Sequence, residues 1–564
     1  MRRVLPDWVA KSLVGVITLV MGVRLWLALV QIFNWDETAL LSRSWILLEQ
    51  GFTVESRPGL VRALLLPLFY LFDDHVKLLF AARAVALVSC GVVFWSVWRL
   101  GRLWYGREVA LLSLFLLSLH STYLVHSVEI RTEALSSAFC LLAFAWAETV
   151  WRQGRPGLAP FALVGAGALA SQKALYDVIW YAVAKATRRG ADIPRRWWMK
   201  VGAVVVLPAV ILIGAVALVA PDDVAPFVER VTVGALEEAR TPFYVLWVQW
   251  TFVLKSLQRE PVFYALPLLS LPFWFTRNRR RLGRLVSALL LQLTLVGILW
   301  FHAARFPYFF ITLAPLWALP AGYQLWLVFL ALKRLARHSR LVTLLILFPL
   351  ILSFVLPLLP RVGFILKPSN TSQLALVRTL QTHFAPDTRV FDASHLMFKH
   401  HQVEEPLFAR DIRNLRERPD WTTDLISRLR VSQPAYFLES KRTDDFPGVL
   451  RDYLFTRFVR LGPNIWVAGA ERRSPGNFEC VRAGVYLVQS VKRSPEVALP
   501  PPFPEEARLD GVIIREGQRV ELQEGYHYVG WSGMGGVRFR LNLPDLADIE
   551  QPHLRNRQIF RSYK

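Results

Sequence analysis

The feature that most constrains the fold is a series of apolar runs, each near the length that crosses a bilayer. An α-helix needs roughly 20 apolar residues to span hydrocarbon. Runs of that length recur up to about residue 360 and then stop. Hydrophobic residues make up 54% of the chain, and its mean hydropathy is +0.34. The sequence therefore predicts a polytopic α-helical membrane protein that continues into a soluble tail.

We predict about eleven membrane spans, and connectors rich in Lys and Arg alternate with connectors that have few basic residues. This alternation is the positive-inside pattern, so we expect a cytoplasmic N-terminus and an extracytoplasmic tail. The same pattern explains the net charge of +23 without a nucleic-acid partner. The predicted spans are 12–33, 76–98, 108–126, 132–150, 158–172, 174–186, 201–220, 260–276, 283–301, 307–331 and 341–359.

The chain is predicted to have three domains: a membrane domain (1–360), an α/β domain (361–470) and a small β-rich domain (471–564). The last is predicted as a β-sandwich, because its short strands are separated by Pro- and Gly-rich turns. In the α/β domain, helices alternate with strands, as in layered folds. Its predicted elements are the helices 374–384 and 421–429 and the strands 388–392, 435–439 and 465–468.

An acid pair, Asp36 and Glu37, follows the first apolar run directly. Carboxylates are costly within hydrocarbon and are often functional at its edge. A carboxylate placed there meets both water and lipid headgroups, and it can act as a general base toward a hydroxyl group. The alternative is that the pair only caps or solvates the end of a span. The sequence does not rank the two acids.

A second acidic cluster lies between the third and fourth predicted spans, on the same side of the membrane as the first. It contains Glu129, Arg131 and Glu133. Glu129 and Glu133 would share one helical face if the next helix begins early. Arg131 either binds a phosphate group or only neutralises these acids, and both interpretations stay open.

Basic residues are few on the predicted outer side, and Arg57, Lys173 and Arg305 are the main ones. Arg and Lys stabilise charge that develops on a phosphate group. Lys173 stands alone between two apolar runs, where it needs an anion or a position from which it can snorkel to the interface. Lys173 and Arg305 are therefore candidate phosphate contacts, with snorkelling as the alternative.

The order of these motifs resembles that of the GT-C membrane glycosyltransferases. The acid pair and the acid-plus-Arg cluster are followed by Gln-Lys-Ala-Leu at 172–175 and by Arg-Phe-Pro-Tyr-Phe at 305–309. Together they are similar to the bacterial dolichyl-phosphate-mannose protein mannosyltransferase and aminoarabinose transferase group, over roughly residues 10–330. The resemblance implies that a sugar is transferred, with inversion, from a polyprenyl-phosphate-linked donor to an acceptor hydroxyl at the extracytoplasmic face of the bacterial inner membrane.

The resemblance also implies roles for individual residues. Asp36 becomes the catalytic base, with Glu37 as its neighbour or substitute, and Lys173 or Arg305 contacts the donor phosphate. Tyr308, in the motif of Arg305, joins the predicted substrate contacts together with Arg57, Glu129 and Arg131. No cofactor is implied, and a divalent metal is compatible with the sequence but not indicated by it.

The resemblance does not identify the sugar or the acceptor, which is a glycan, a lipid or a protein. Thr38-Ala39 follows the acid pair, where aminoarabinose transferases commonly have aromatic or basic residues. His400 and His401, with Glu404 and Glu405, match no common metal-binding spacing, so we interpret them as a solvated surface. Two other classes stay open: a transporter or flippase of lipid-linked sugar, and a non-catalytic membrane scaffold.

Overall fold

The computed structural model divides the chain into two compact units. The helical unit comprises Met1–Gln31, Ile46–Leu71 and Phe80–Pro368, and the tail unit comprises Ile32–Trp45, Phe72–Leu79 and Ser369–Lys564. The structure describes residues 7–51, 59–154, 157–189, 253–275, 279–301, 307–335, 370–404, 407, 409–462, 464–491, 503–504, 506–532 and 535–542, with isolated positions between 199 and 251.

Helices dominate the part of the chain that precedes residue 336. They are α1 (Asp7–Val30), α2 (Trp35–Gln50), α3 (Leu60–Leu71), α4 (His75–Trp104), α5 (Arg107–Leu119), α6 (Ser121–His126), α7 (Thr132–Arg152), α8 (Ala159–Ala170), α9 (Ala174–Arg189), α10 (Pro261–Leu269), α11 (Arg279–Phe301) and α12 (Phe310–Leu335). Among the described residues, five helices are long and apolar enough to cross a membrane: α1, α4, α7, α11 and α12. The protein is therefore a membrane protein.

The predicted count of about eleven spans is not confirmed. The helices α8 and α10, within two predicted spans, are shorter apolar helices. The predicted span at 108–126 is two helices, α5 and α6, because His120 ends the first and caps the second by accepting a hydrogen bond from the Tyr123 amide (3.2 Å). Predicted span 341–359 and nine of the twenty residues of predicted span 201–220 lie outside the described residues. The orientation of the helices in the membrane stays a prediction.

A close approach between α5 and α12 depends on Gly322. A Cβ atom added at this glycine would lie 2.8 Å from the Ser113 backbone nitrogen and 3.0 Å from its Cα. Backbone atoms in a packed helix cannot move aside as the end of a flexible side chain can. The absence of a side chain at Gly322 therefore lets the two helices pack in the core of the helical unit.

We expect Gly322→Ala to lower the thermal unfolding midpoint of the purified protein, because overpacking a close helix contact costs roughly 1–3 kcal/mol. The matched control is Gly297→Ala on α11, where an added Cβ meets no atom within 4 Å. There the better helix propensity of alanine should leave the midpoint equal or higher. An equal loss of stability in both variants would contradict the packing explanation.

The tail unit combines helices with two sheets. Its helices are α13 (Thr371–His383), α14 (Ala409–Glu417), α15 (Pro419–Ser432), α16 (Lys441–Asp444) and α17 (Gly448–Arg457). Its strands are β1 (Arg389–Phe391), β2 (His401–Gln402), β3 (Tyr436–Leu438), β4 (Phe458–Arg460), β5 (Ile465–Arg472), β6 (Gly476–Cys480), β7 (Gly484–Ser490), β8 (Ala507–Leu509), β9 (Val512–Ile514), β10 (Arg519–Leu522), β11 (Gly525–Gly530) and β12 (Val537–Leu541).

The larger sheet has the strand order β10-β7-β12-β5-β3-β1-β2, with β4 also paired to β5. β1 runs parallel to β2 and β3, and the other pairs are antiparallel. The smaller sheet has the order β6-β11-β8-β9, and all its pairs are antiparallel. The two sheets touch where the Phe478 ring stacks on the Phe539 ring, with centroids 4.8 Å apart.

The predicted tail helices and strands are found with small changes in their ends, but the sheets cross the predicted domain boundary. β5 runs through residues 470 and 471, because its first half pairs with β3 and β4 and its second half pairs with β12. Strands of the predicted β-sandwich therefore belong to two sheets, and the larger one begins in the predicted α/β domain. The division into three domains stays a prediction.

Candidate functional site

The acid pair begins α2, in the segment that belongs to the tail unit. The Asn34 side chain accepts a hydrogen bond from the Asp36 amide (3.1 Å), and the Glu37 carboxylate accepts one from the Asn34 amide (2.8 Å). This reciprocal arrangement is a capping box, which satisfies backbone donors at the start of a helix. Glu37 therefore has a structural role in the first turn.

The two acids differ in exposure. Glu37 is 0% exposed, whereas Asp36 is partly exposed to solvent. The structure thus separates two residues that the sequence could not rank. Asp36 therefore has the more accessible carboxylate of the two, and Glu37 caps the helix on which both acids lie.

Glu129 lies in the helical unit, between α6 and α7, and its buried carboxylate has three hydrogen-bonding neighbours. Oε2 accepts from Arg131 Nε (2.6 Å) and lies 3.1 Å from His126 Nδ1, and Oε1 accepts from Gln31 Nε2 (3.1 Å). Burial by itself would raise the pKa of Glu129, but the charges of Arg131 and His126 outweigh burial and hold it well below its usual range. Glu129 is therefore an ionised, fully engaged carboxylate at neutral pH.

The predicted i, i+4 pairing of Glu129 and Glu133 is wrong, because α7 begins at Thr132 and Arg131 is its N-cap residue. Glu133 instead forms an ion pair with Lys173 and accepts a hydrogen bond from the Thr132 hydroxyl (3.2 Å). Each acid of the cluster thus has its own cation: Arg131 for Glu129, and Lys173 for Glu133.

Tyr308 joins the two cations. The Arg131 guanidinium carbon lies 4.4 Å from the centroid of the Tyr308 ring, and Lys173 Nζ lies 5.0 Å from the same centroid. Both distances fall within the range of a cation–π contact. The structure therefore brings together four of the residues predicted from the sequence, namely Glu129, Arg131, Lys173 and Tyr308. We name these residues, with Glu133, the cation cluster.

Arg131 and Lys173 supply the guanidinium and ammonium groups that interact with anionic oxygen groups in proteins. These two groups are held in place by buried carboxylates and by one aromatic ring, so little ordering is needed when an anion arrives. Preorganised cations of this kind stabilise charge on a phosphate group as it leaves. Arg305, the other candidate phosphate contact, and Arg57, a predicted substrate contact, lie outside the described residues.

Sequence reasoning assigned no role to Gln31 or His126, both of which contact Glu129. A signal for Gln31 was present, because it is a single polar residue near the end of the first apolar run. His126 lies three residues before Glu129, at the end of α6. No group of three or more His, Cys, Asp or Glu side chains in the described ranges has an arrangement that could hold a metal ion.

His400, which the sequence analysis placed on a solvated surface, is buried in the tail unit, so that interpretation is wrong for this residue. Its Nδ1 shares a hydrogen bond with the Tyr436 hydroxyl (2.9 Å). Burial lowers the pKa of His400 to about 4, because the charged imidazolium is poorly solvated there. His401, its neighbour on the short strand β2, is exposed.

We expect the tail unit to lose stability as the pH falls below about 6.5, the ordinary pKa of histidine. In this range the unfolded chain binds a proton at His400 that the folded chain does not, so the free energy of unfolding falls by about 2 kcal/mol at pH 5. The measurement compares thermal unfolding of the intact chain and of His400→Gln at pH 7.5 and pH 5. The variant should lose less stability on acidification, and His401→Gln should behave like the intact chain.

Comparisons with known proteins identify the fold but no close relative. No protein-family model matches the chain, and no curated protein matches it. Two solved structures of ArnT from Cupriavidus metallidurans are similar. The apo structure matches with a TM-score of 0.51 at 13% identity, over 82% of this chain and 97% of that chain.

The second ArnT structure, which is bound to undecaprenyl phosphate, matches with a TM-score of 0.50 at 14% identity, over 78% of this chain and 94% of that chain. An oligosaccharyltransferase from Archaeoglobus fulgidus, in complex with zinc and sulfate, matches with a TM-score of 0.48 at 12% identity, over 81% of this chain and 72% of that chain. At identities this low, the likeness to ArnT establishes the fold alone.

Proposed function

We propose that this chain, whose fold is that of the GT-C membrane glycosyltransferases, transfers a sugar from a polyprenyl-phosphate-linked donor to an acceptor hydroxyl. The observation that carries the proposal is the cation cluster, in which Arg131 and Lys173 flank Tyr308 within a unit of this fold. A transferase for a phosphate-linked donor needs such a site for its leaving group.

In the proposed reaction, Asp36 is the general base. Its carboxylate takes the proton of the acceptor hydroxyl while the hydroxyl oxygen attacks the anomeric carbon of the sugar from the face opposite the leaving group. The bond between the anomeric carbon and the phosphate oxygen breaks, and the electron pair stays with the polyprenyl phosphate. The configuration is inverted, and no oxidant, reductant or nucleotide is consumed.

Arg131 and Lys173 bind the donor phosphate and stabilise the charge that it gains as it leaves, and Tyr308 holds both cations at the position they need. The likeness to ArnT supports this part of the proposal, because that protein is described with undecaprenyl phosphate bound. Glu129 and Glu133 keep the two cations in place before the donor arrives. Membrane lipid surrounds the helical unit, and the acceptor is a glycan, a lipid or a protein.

The proposed location is the bacterial inner membrane, with a cytoplasmic N-terminus and an extracytoplasmic tail. The distribution of basic connectors supports this orientation. A lipid-linked donor also suits a reaction outside the cytoplasm, where nucleotide sugars are absent.

The proposal is tested by comparing envelope glycans and lipids, by mass spectrometry, from cells with and without the chain. We expect cells without the chain to lose one sugar-sized mass from a single class of molecule and to accumulate the undecorated acceptor. The same acceptor, extracted from those cells, is then incubated in detergent with the purified chain and a polyprenyl-phosphate sugar.

The detergent reaction separates a transferase from a flippase. No bilayer divides donor from acceptor in detergent, so a flippase would form no product there, whereas a transferase would release polyprenyl phosphate. If cells that lack the chain lose the sugar but the purified chain transfers none in detergent, the result would favour the transporter. An unchanged envelope would favour the scaffold.

A further inference from the structure

The segment that bears Asp36 belongs to the same compact unit as the tail. Residues Ile32–Trp45 form one compact unit with Ser369–Lys564, although more than 300 residues separate them along the chain. Contacts within this unit therefore determine where the Asp36 carboxylate lies.

Gln373, on the first turns of α13, holds the backbone just before the acid pair. Its amide oxygen accepts a hydrogen bond from the Phe33 N–H (2.8 Å), and its amide nitrogen donates one to the Phe33 carbonyl (3.0 Å). Phe33 is fully buried, so water cannot readily reach its N–H and carbonyl groups. Losing these two hydrogen bonds would therefore leave both groups unsatisfied, which costs free energy. One tail side chain thus satisfies the donor and the acceptor of a residue three positions before Asp36.

The loop that follows β1 holds the next turn of α2. The Thr38 hydroxyl donates a hydrogen bond to the Ser394 carbonyl (2.7 Å), and the Ser42 hydroxyl shares one with His395. This loop is itself fixed by the buried Asp392, whose carboxylate accepts from the Ser394 amide at 2.9 Å. The first turns of α2 are therefore attached to the carboxyl end of a strand in the larger sheet.

Arg442, in the short helix α16, lies against Trp35, the residue that precedes Asp36. Its guanidinium carbon is 3.8 Å from the centroid of the Trp35 ring, and the residue is only 8% exposed. Burial lowers the pKa of Arg442, and the nearby Asp36, Asp411 and Asp445 carboxylates oppose that shift. Ser440 fixes the backbone at Arg442 by accepting its amide hydrogen (3.2 Å).

We propose that the tail is part of the transfer machinery, because Gln373 and Arg442 are positioning residues for the Asp36 carboxylate. Gln373 fixes the backbone from which the acid projects, and Arg442 fixes the carboxylate through its charge and its stack on Trp35. This inference rests on the proposed function, in which Asp36 is the base. A base displaced by about 1 Å can lose roughly 100-fold in rate, so the two contacts have consequences beyond folding.

The first test does not depend on activity. Hydrogen exchange of the peptide that covers residues 33–40 is measured in the full-length chain in detergent, for the intact protein and for Gln373→Met, which keeps the length of the side chain without its hydrogen bonds. We expect exchange about tenfold faster in the variant, because two buried hydrogen bonds are lost. Gln381→Met, on the same helix, is the control and should leave this peptide unchanged.

The second test is kinetic. Gln373→Met and Arg442→Met should each lower kcat by roughly tenfold or more, with the KM for the donor unchanged. Arg418→Met is the matched control, since it removes another arginine that stacks on a tryptophan, Trp421, at 5.5 Å. In an Asp36→Asn background, Gln373→Met should cause no further loss, because it acts only through the base.

The outcomes separate the inference from the proposed function. An intact chain without transfer activity overturns the proposed function and, with it, the chemical role of the two tail residues. An active chain whose Gln373→Met and Arg442→Met variants keep full kcat overturns only the inference. A further loss from Gln373→Met in the Asp36→Asn background also overturns it, because the effect would then be general destabilisation.

Discussion

Asp36→Asn is expected to reduce the turnover of sugar transfer by roughly 10²–10⁴-fold, the range that general-base catalysis contributes. Asparagine has the same shape as aspartate but cannot accept the proton of the acceptor hydroxyl. The Asp36 backbone amide still donates to the Asn34 side chain, so the start of α2 is kept. The measurement is kcat for transfer by the purified chain in detergent, at matched protein concentration.

Glu37→Gln is the matched control for this prediction. The glutamine carbonyl can still accept the hydrogen bond from the Asn34 amide, which the Glu37 carboxylate accepts in the intact protein. We therefore expect kcat close to that of the intact chain. Glu37→Ala removes the cap and should cost about 1 kcal/mol of stability. If Glu37→Gln abolished transfer while Asp36→Asn did not, the base would be Glu37.

Lys173→Met is expected to have two separate effects. It removes a cation proposed to stabilise the leaving phosphate, which should lower kcat by about 10²–10³-fold. It also leaves the Glu133 carboxylate without its cation in a buried position, and breaking a buried ion pair costs about 3–5 kcal/mol. Transfer activity and the thermal unfolding midpoint are both measured.

A double variant separates these effects. Lys173→Met combined with Glu133→Gln removes both charges, so the unfolding midpoint should recover most of its loss. Transfer should stay as low as in the single variant, because the cation is still missing. Lys77→Met, at an exposed lysine, controls for the loss of one positive charge. Recovery of activity in the double variant would show that Lys173 serves only to neutralise Glu133.

Residues of the candidate site could be predicted from the sequence where their position in the chain was informative. Arg131 and Lys173 were found because charged residues near apolar runs need partners. The partners themselves could not be found in this way. Lys173 pairs with Glu133, 40 positions earlier in the chain, and Gln31 reaches Glu129 across 98 positions. Pairing over such distances depends on how the helices pack.

Local patterns in the sequence determined the elements of this protein. Apolar runs specified the long helices, because a backbone in hydrocarbon must satisfy its own hydrogen bonds. The motif order indicated the GT-C fold. The sequence did not show that α5 ends at His120, since the cap that breaks the helix is stabilised by a hydrogen bond to Tyr264 (3.0 Å), which comes from a distant segment.

The tertiary structure alone decided how the two acids differ in exposure and which residues contact them. Asp36 and Glu37 are adjacent and chemically alike, and only the folded capping box buries one and leaves the other partly exposed. Likewise, nothing in the sequence around Gln373 indicates that its side chain forms hydrogen bonds with the Phe33 backbone. Apolar spacing is encoded in neighbouring residues, whereas burial and hydrogen-bond partners are properties of segments that meet only after folding.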